Sequence, residues 1–200
     1  MNGITVFMAL VDYLPVIFFF LAALLLQNDL YSKLSKTKYT LLAAGSLMVL
    51  IGGTLKATWK ILYALSICDF QALDVSFFPF QGIGFLLVFL SLTGICTKKF
   101  NTKALSIVPL YLSNMPFIIL QVIGCAGAQF MLIAKSLQMK KKSATALYVI
   151  AFIFMLGMGY LGAKFDDSSN MHWLAQCTNI ISQLSFLAGT WILHKSGLAH

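Results

Sequence analysis

Runs of about twenty apolar residues follow one another along nearly the whole chain, separated by short clusters of lysine and aspartate, and this spacing restricts the fold more than any other feature. A helix of that length matches the hydrocarbon thickness of a bilayer, whereas the alternating ten-residue strands of an outer-membrane barrel are absent. With 60% hydrophobic and 10% charged side chains in 200 residues, a water-soluble globule could not hide the apolar surface. The sequence predicts an all-α integral membrane protein forming a single polytopic domain over residues 1–200.

The spans read as about Met8–Gln27, Tyr39–Tyr63, Phe77–Cys96, Ala144–Ala163 and His172–His194, with a longer stretch between Thr97 and Lys142 that admits one or two crossings. That stretch carries lysines at both ends around mostly apolar residues, so two crossings keep both lysine clusters on one side and a single crossing does not. A short fourth span, about Phe100–Met115, and a fifth, Pro116–Leu137, follow. The expectation is seven transmembrane helices with the N-terminus outside and the C-terminus cytoplasmic, because Lys33, Lys36, Lys38, Lys98, Lys99 and Lys140–Lys142 then all face the cytoplasm. The opening Met-Asn-Gly-Ile-Thr-Val has no basic region and reads as the start of a retained first helix.

The net charge of +8 is accounted for by those loop lysines, so no nucleic-acid partner is expected. Cys68, Cys96, Cys125 and Cys177 show neither metal-ligand spacing nor a disulfide pattern and read as small packing residues.

An internal repeat is also expected. Asp12-Tyr-Leu-Pro15-Val-Ile-Phe resembles Ser113-Asn-Met-Pro116-Phe-Ile-Ile, glycine-rich segments follow at Gly52 and Gly157, and each half ends in a span with an early glutamine, Gln81 or Gln176. Halves 8–97 and 113–196, joined by a linker helix at about 100–115, would form a three-plus-one-plus-three parallel repeat. That layout is similar to the sugar-exporting SWEET transporters, and seven spans in this orientation also occur in opsins and G-protein-coupled receptors. The likeness is one of layout: Val16 and Phe117 stand where a SWEET-like repeat has glutamine after proline, and the last helix lacks a mid-membrane lysine for a retinal Schiff base.

Polar residues within apolar spans mark the candidate site, because amides and charges facing lipid tails are costly. On the last helix His172, Gln176, Asn179, Gln183, Thr190 and His194 fall within an arc of about 60°. At 1.5 Å per residue, Asp12, Lys56, Gln81, Gln121, Asn179 and Gln176 all lie about 22–26 Å above the cytoplasmic side. The expected ligand-binding set is Asp12, Lys56, Gln81, Gln121, His172, Gln176, Asn179 and Gln183, with no catalytic residue, metal ligand or cofactor. The competing reading of the amides is interhelical hydrogen bonding, and Lys56 and Lys60 can snorkel beside Trp59.

The function expected is an outward-facing polar pocket for a small neutral or zwitterionic solute, in a transporter of the inner or plasma membrane, with Asp12 and Lys56 holding the two ends of a zwitterion. The alternatives are a lipid-modifying enzyme using His172 and the outer aspartates, for which no HxxxH pair or Gly-x-Ser-x-Gly motif is present, and a seven-helix sensor with a separate partner. Partners expected are the bilayer, the solute and, as an option, further copies of the chain.

Overall fold

The computed structural model describes residues 5–96, 115–163 and 169–198, and among them the chain is helical with no strand. The first span is a broken helix, α1 (Val6–Val11) and α2 (Tyr13–Leu30), with Asp12 at the junction. Proline has no N–H to return to the carbonyl four residues back, so Pro15 leaves Val11 without its usual partner and favours a restart close to itself. Thr5 opens α1 by accepting from the Met8 N–H at 3.2 Å.

Helix α3 (Lys36–Ala64) is capped by Ser35, whose hydroxyl accepts from the Lys38 N–H, and it ends in a turn with Ser66 at φ 56°. Helix α4 (Gln71–Cys96) begins six residues before the expected Phe77, so Pro79 lies inside the helix instead of at its entrance. Asp74 in its first turn faces the positive end of the helix dipole. Helices α5 (Met115–Gln138) and α6 (Lys142–Ala163) are joined by a three-residue turn in which Lys140 takes φ 55° and the Lys141 N–H reaches back to the Ser136 carbonyl at 2.9 Å. Helix α7 (Ser169–Lys195) completes the described fold.

Five helical stretches are long and apolar enough to cross a membrane: Val6–Leu30, Lys36–Ala64, Gln71–Ile95, Met115–Gln138 and Lys142–Leu161. The chain is a multi-pass helical membrane protein. Helix α7 is more polar, yet it runs beside the first span from end to end, with Phe7 against Trp173, Phe19 against Phe186, and Asp29 against His194. The expected fourth span falls on residues 97–114, which lie outside the described residues, and Met115, its expected last residue, instead opens α5.

The described helices close a ring in which α2 packs on α3, α3 on α4, α4 on α5, α5 on α6, α6 on α7, and α7 on α2. Their directions follow from which residues meet. Gly45 lies against Gly84 and Gly52 against Phe80, so α3 and α4 are antiparallel; Cys125 meets Met155 and Ser136 meets Thr145, so α5 and α6 are too. Gly82 lies against Phe117, Gly124 against Phe85 and Gly127 against Phe89, so α4 and α5 run parallel. The chain therefore leaves α4 and enters α5 at opposite ends of the pair. Close approach explains two of these glycines: a Cβ on Gly45 would stand 2.7 Å from the Gly84 carbonyl, and one on Gly84 would stand 2.8 Å from Val49.

The interior of the lysine-rich half is mainly apolar, with Asp29, Ser91, Gln129, Ser136 and Thr190 buried within it. Ala22, Leu26 and Leu30 of α2 meet Leu42, Leu92, Leu132, Tyr148 and Leu193 in one buried cluster. At its top Phe19 touches both Phe85 and Phe186, with centroids 5.8 and 6.2 Å away, and fills the ring at that level. Bulky apolar side chains such as Phe7, Leu10, Ile153 and Leu174 are exposed on the outer faces, as bilayer contact requires.

Candidate functional site

The polar residues expected to share one pocket divide into three groups. The charges come first. Asp12, at the break between α1 and α2, forms an ion pair with Lys60 instead of with Lys56, one helical turn away. Both side chains are largely buried, at 14% and 17% exposure. Lys56 pairs with Asp74 at 3.7 Å and lies 4.4 Å from the centre of the Phe77 ring. The expected Asp12–Lys56 clamp for the ends of a zwitterion is thus replaced by two ion pairs that tie α1–α2 to α3 and α3 to α4. Asp12 makes no side-chain cap bond, and Lys60 does not snorkel unpaired. Trp59 is anchored by its indole N–H, which donates to Asp69 at 3.0 Å.

The second group holds helices together. Gln81, buried on α4, donates through Nε2 to the Val49 carbonyl of α3 at 3.1 Å. Gln176, buried on α7, donates to the Met8 carbonyl of α1 at 2.7 Å, which the break after Val11 leaves at the end of a short helix. His194 closes the same seam through Nδ1, 2.7 Å from the fully buried Asp29. Eighteen residues are five helical turns, so Gln176 and His194 project in one direction, toward α1 and α2. The expected polar stripe of α7 is, at these two residues, its seam with the first span. Thr190 belongs to the seam with α6, where its hydroxyl meets that of Tyr148 at 3.1 Å. His172 is buried near the start of α7.

The third group consists of Gln121, Asn179 and Gln183, half-buried amides that make no hydrogen bond among the described residues. Asn179 lies seven residues before Phe186 and so on nearly the same line of α7, two turns away from the phenylalanine cluster. Gln183 lies between Gln176 and His194 on the edge facing the first span. Gln121 is seven residues before the buried Ala128, on the inward line of α5, and its level beside α4 is that of Gly84–Phe85. The sequence-based heights put Gln121 level with Asn179; the helix pairing sets it lower, beside the phenylalanines.

A concavity of about 680 Å³ lies elsewhere, on the bilayer-facing surface between α2 and α7, and none of the eight expected residues lines it. Sequence reading missed it because a groove between two exposed apolar faces leaves no polar signal. No group of three or more His, Cys or Asp side chains that could hold a metal occurs among the described residues.

No family model, no curated protein and no solved structure matches the chain. Its class rests on its own geometry: a multi-pass helical membrane protein.

Proposed function

We propose that the chain is a seven-span transporter for a small neutral polar solute, built from two parallel three-helix halves, with the N-terminus outside and the C-terminus cytoplasmic. The halves are α2–α3–α4 within 8–97 and α5–α6–α7 within 113–196. The parallel run of α4 and α5 supports a further crossing between them. Two equivalent ties support the duplication: Gln81 donates to the Val49 carbonyl and Ser182 to the Ala151 carbonyl, with donors 101 positions apart and acceptors 102 apart. Pro15 and Pro116, Phe85 and Phe186, and the buried pair Leu92 and Leu193 repeat at the same interval. Parallel repeats related by an axis along the membrane normal are a transporter architecture, with substrate held near mid-membrane between the halves.

The contrast among the amides carries the reading. Gln81 and Gln176 have backbone partners, whereas Gln121, Asn179 and Gln183 have none among the described residues, and an unpartnered amide in an apolar bundle is costly. A polar guest at the seams between the halves would satisfy them, and amides suit a ligand that both donates and accepts. Since Asp12 and Lys56 are already paired with Lys60 and Asp74, a neutral solute fits better than a zwitterion. The phenylalanine cluster would then be the closed gate below the site, opened as the halves rock.

The test is a melting-shift screen of the purified chain against small polyols, sugars and amides, followed by uptake into proteoliposomes. A ligand that binds only the folded form raises its melting temperature. Asn179→Ala, Gln183→Ala and Gln121→Ala should abolish the shift and uptake while leaving the ligand-free protein at least as stable as before. Gln176→Ala should instead destabilise the ligand-free protein by about 0.6 kcal/mol and at most about 2. Equal destabilisation by all four, with no solute taken up, would sink the proposal.

A further inference from the structure

The groove between α2 and α7 reads as a built site for a lipid. Leu21 and Leu24 of α2 and Leu184 and Trp191 of α7 form its walls, each more than two-fifths exposed to the bilayer, and Asn28 and His194 close its end. Its 680 Å³ falls within the roughly 300–1,000 Å³ of ligand sites. From Leu184 to His194 the wall rises ten residues, about 15 Å, which is half the roughly 30 Å hydrocarbon layer and so the depth of one leaflet.

The polar end is on the lysine-rich side of the bundle. Helices α2, α5 and α7 all finish there, bringing Lys33, Lys36 and Lys140–Lys142 to the same face as Lys195. Lys195 lies over the Trp191 ring, 5.2 Å from its centre, at the mouth of the groove. Asp29 holds His194 by Nδ1, which leaves Nε2 as the ring nitrogen without a hydrogen bond among the described residues. We propose that this groove binds one anionic glycerophospholipid of the adjoining leaflet, an acyl chain along Leu24 and Leu184 and its phosphate among Asn28, His194 and Lys195. Charge selects the occupant: a zwitterionic lipid fills the apolar wall equally well and gains less from Lys195. The site is independent of the solute proposal, since it shares no residue with it.

Native mass spectrometry of the full chain in detergent, with phosphatidylglycerol and phosphatidylcholine of identical acyl chains added in equal amounts, tests it. One phosphatidylglycerol per chain should be retained over phosphatidylcholine by roughly fivefold, the preference one basic side chain gains at an anionic surface. Lys195→Gln, on an exposed side chain that does not touch the core, should bring the ratio close to one, and Leu24→Trp should displace the lipid by filling the groove. Equal retention of both lipids, or a preference unchanged in Lys195→Gln, would overturn the proposal. So would rapid disulfide formation between copies carrying Leu24→Cys in native membranes, which would show a second copy of the chain occupying the groove.

Discussion

Removing one member of the Asp12–Lys60 pair tests whether the structure or the height-based reading has the charges correctly partnered. Both side chains are more than four-fifths buried, so the pair is shielded from water far better than an exposed ion pair worth about 0–1 kcal/mol. Asp12→Asn leaves the Lys60 ammonium without a counter-charge, and Lys60→Met does the same to the Asp12 carboxylate. An unpartnered charge at the centre of a membrane helix costs about 2.5–3.5 kcal/mol. Asp12 stands only six residues past Val6, where the first span begins behind its Thr5 cap, so each single variant should lose less, about 2 kcal/mol. The double variant carries no lone charge, so its loss should be below about 1 kcal/mol instead of 4, a coupling of about 3. Equilibrium unfolding in mixed micelles reads all four species. Lys56 is paired elsewhere, so Asp12→Asn with Lys56→Met should couple by less than about 0.5 kcal/mol. Additive losses for Asp12 and Lys60, or a larger coupling with Lys56, would refute the assignment.

Two further outcomes follow from the helix contacts. Gly84→Leu forces side-chain atoms into Val49 and the Gly45 backbone and should cost about 1–3 kcal/mol, whereas Gly159→Ala, which meets no atom within 4 Å, should be neutral or stabilising by up to about 1 kcal/mol; melting curves of the two variants check this. Gln81→Ala and Ser182→Ala each remove one tie of the same kind in different halves, so each should cost about 0.6 kcal/mol and the two should add within about 0.5, as measured by equilibrium unfolding.

The membrane class, the helical content and most helix positions were legible in the sequence, because apolar length and lysine punctuation act locally. Met115–Gln138 and Lys142–Ala163 lie within two residues of the expected spans. Gln71 was missed as a start because Pro79 looked like an entrance, although the surrounding helices supply enough packing to carry a proline inside α4. Partner choice was not legible. Lys56 and Lys60 share one face of α3 and differ by about 6 Å in height, so which of them reaches Asp12 depends on the axial offset between α3 and the first span, and counting residues from assumed span ends does not fix that offset. The stripe on α7 was visible as a pattern, but which of its members tie helices depends on carbonyls that the broken first span presents, such as that of Met8. The expected repeat rests on glutamines 81 and 176, while in the proposed duplication the donor matching Gln81 is Ser182, a change of residue type that sequence comparison does not register.

Topology tests the proposed duplication most directly. In a cysteine-free background, single cysteines at positions 69 and 167 should react in intact cells with a membrane-impermeant maleimide, and cysteines at 99 and 141 should react only after permeabilisation. That result requires two crossings between Cys96 and Lys142, as the proposed topology has it. Labelling of position 141 from outside while 99 stays protected would leave a single crossing there, and would contradict both the parallel pair and the two-half transporter built on it.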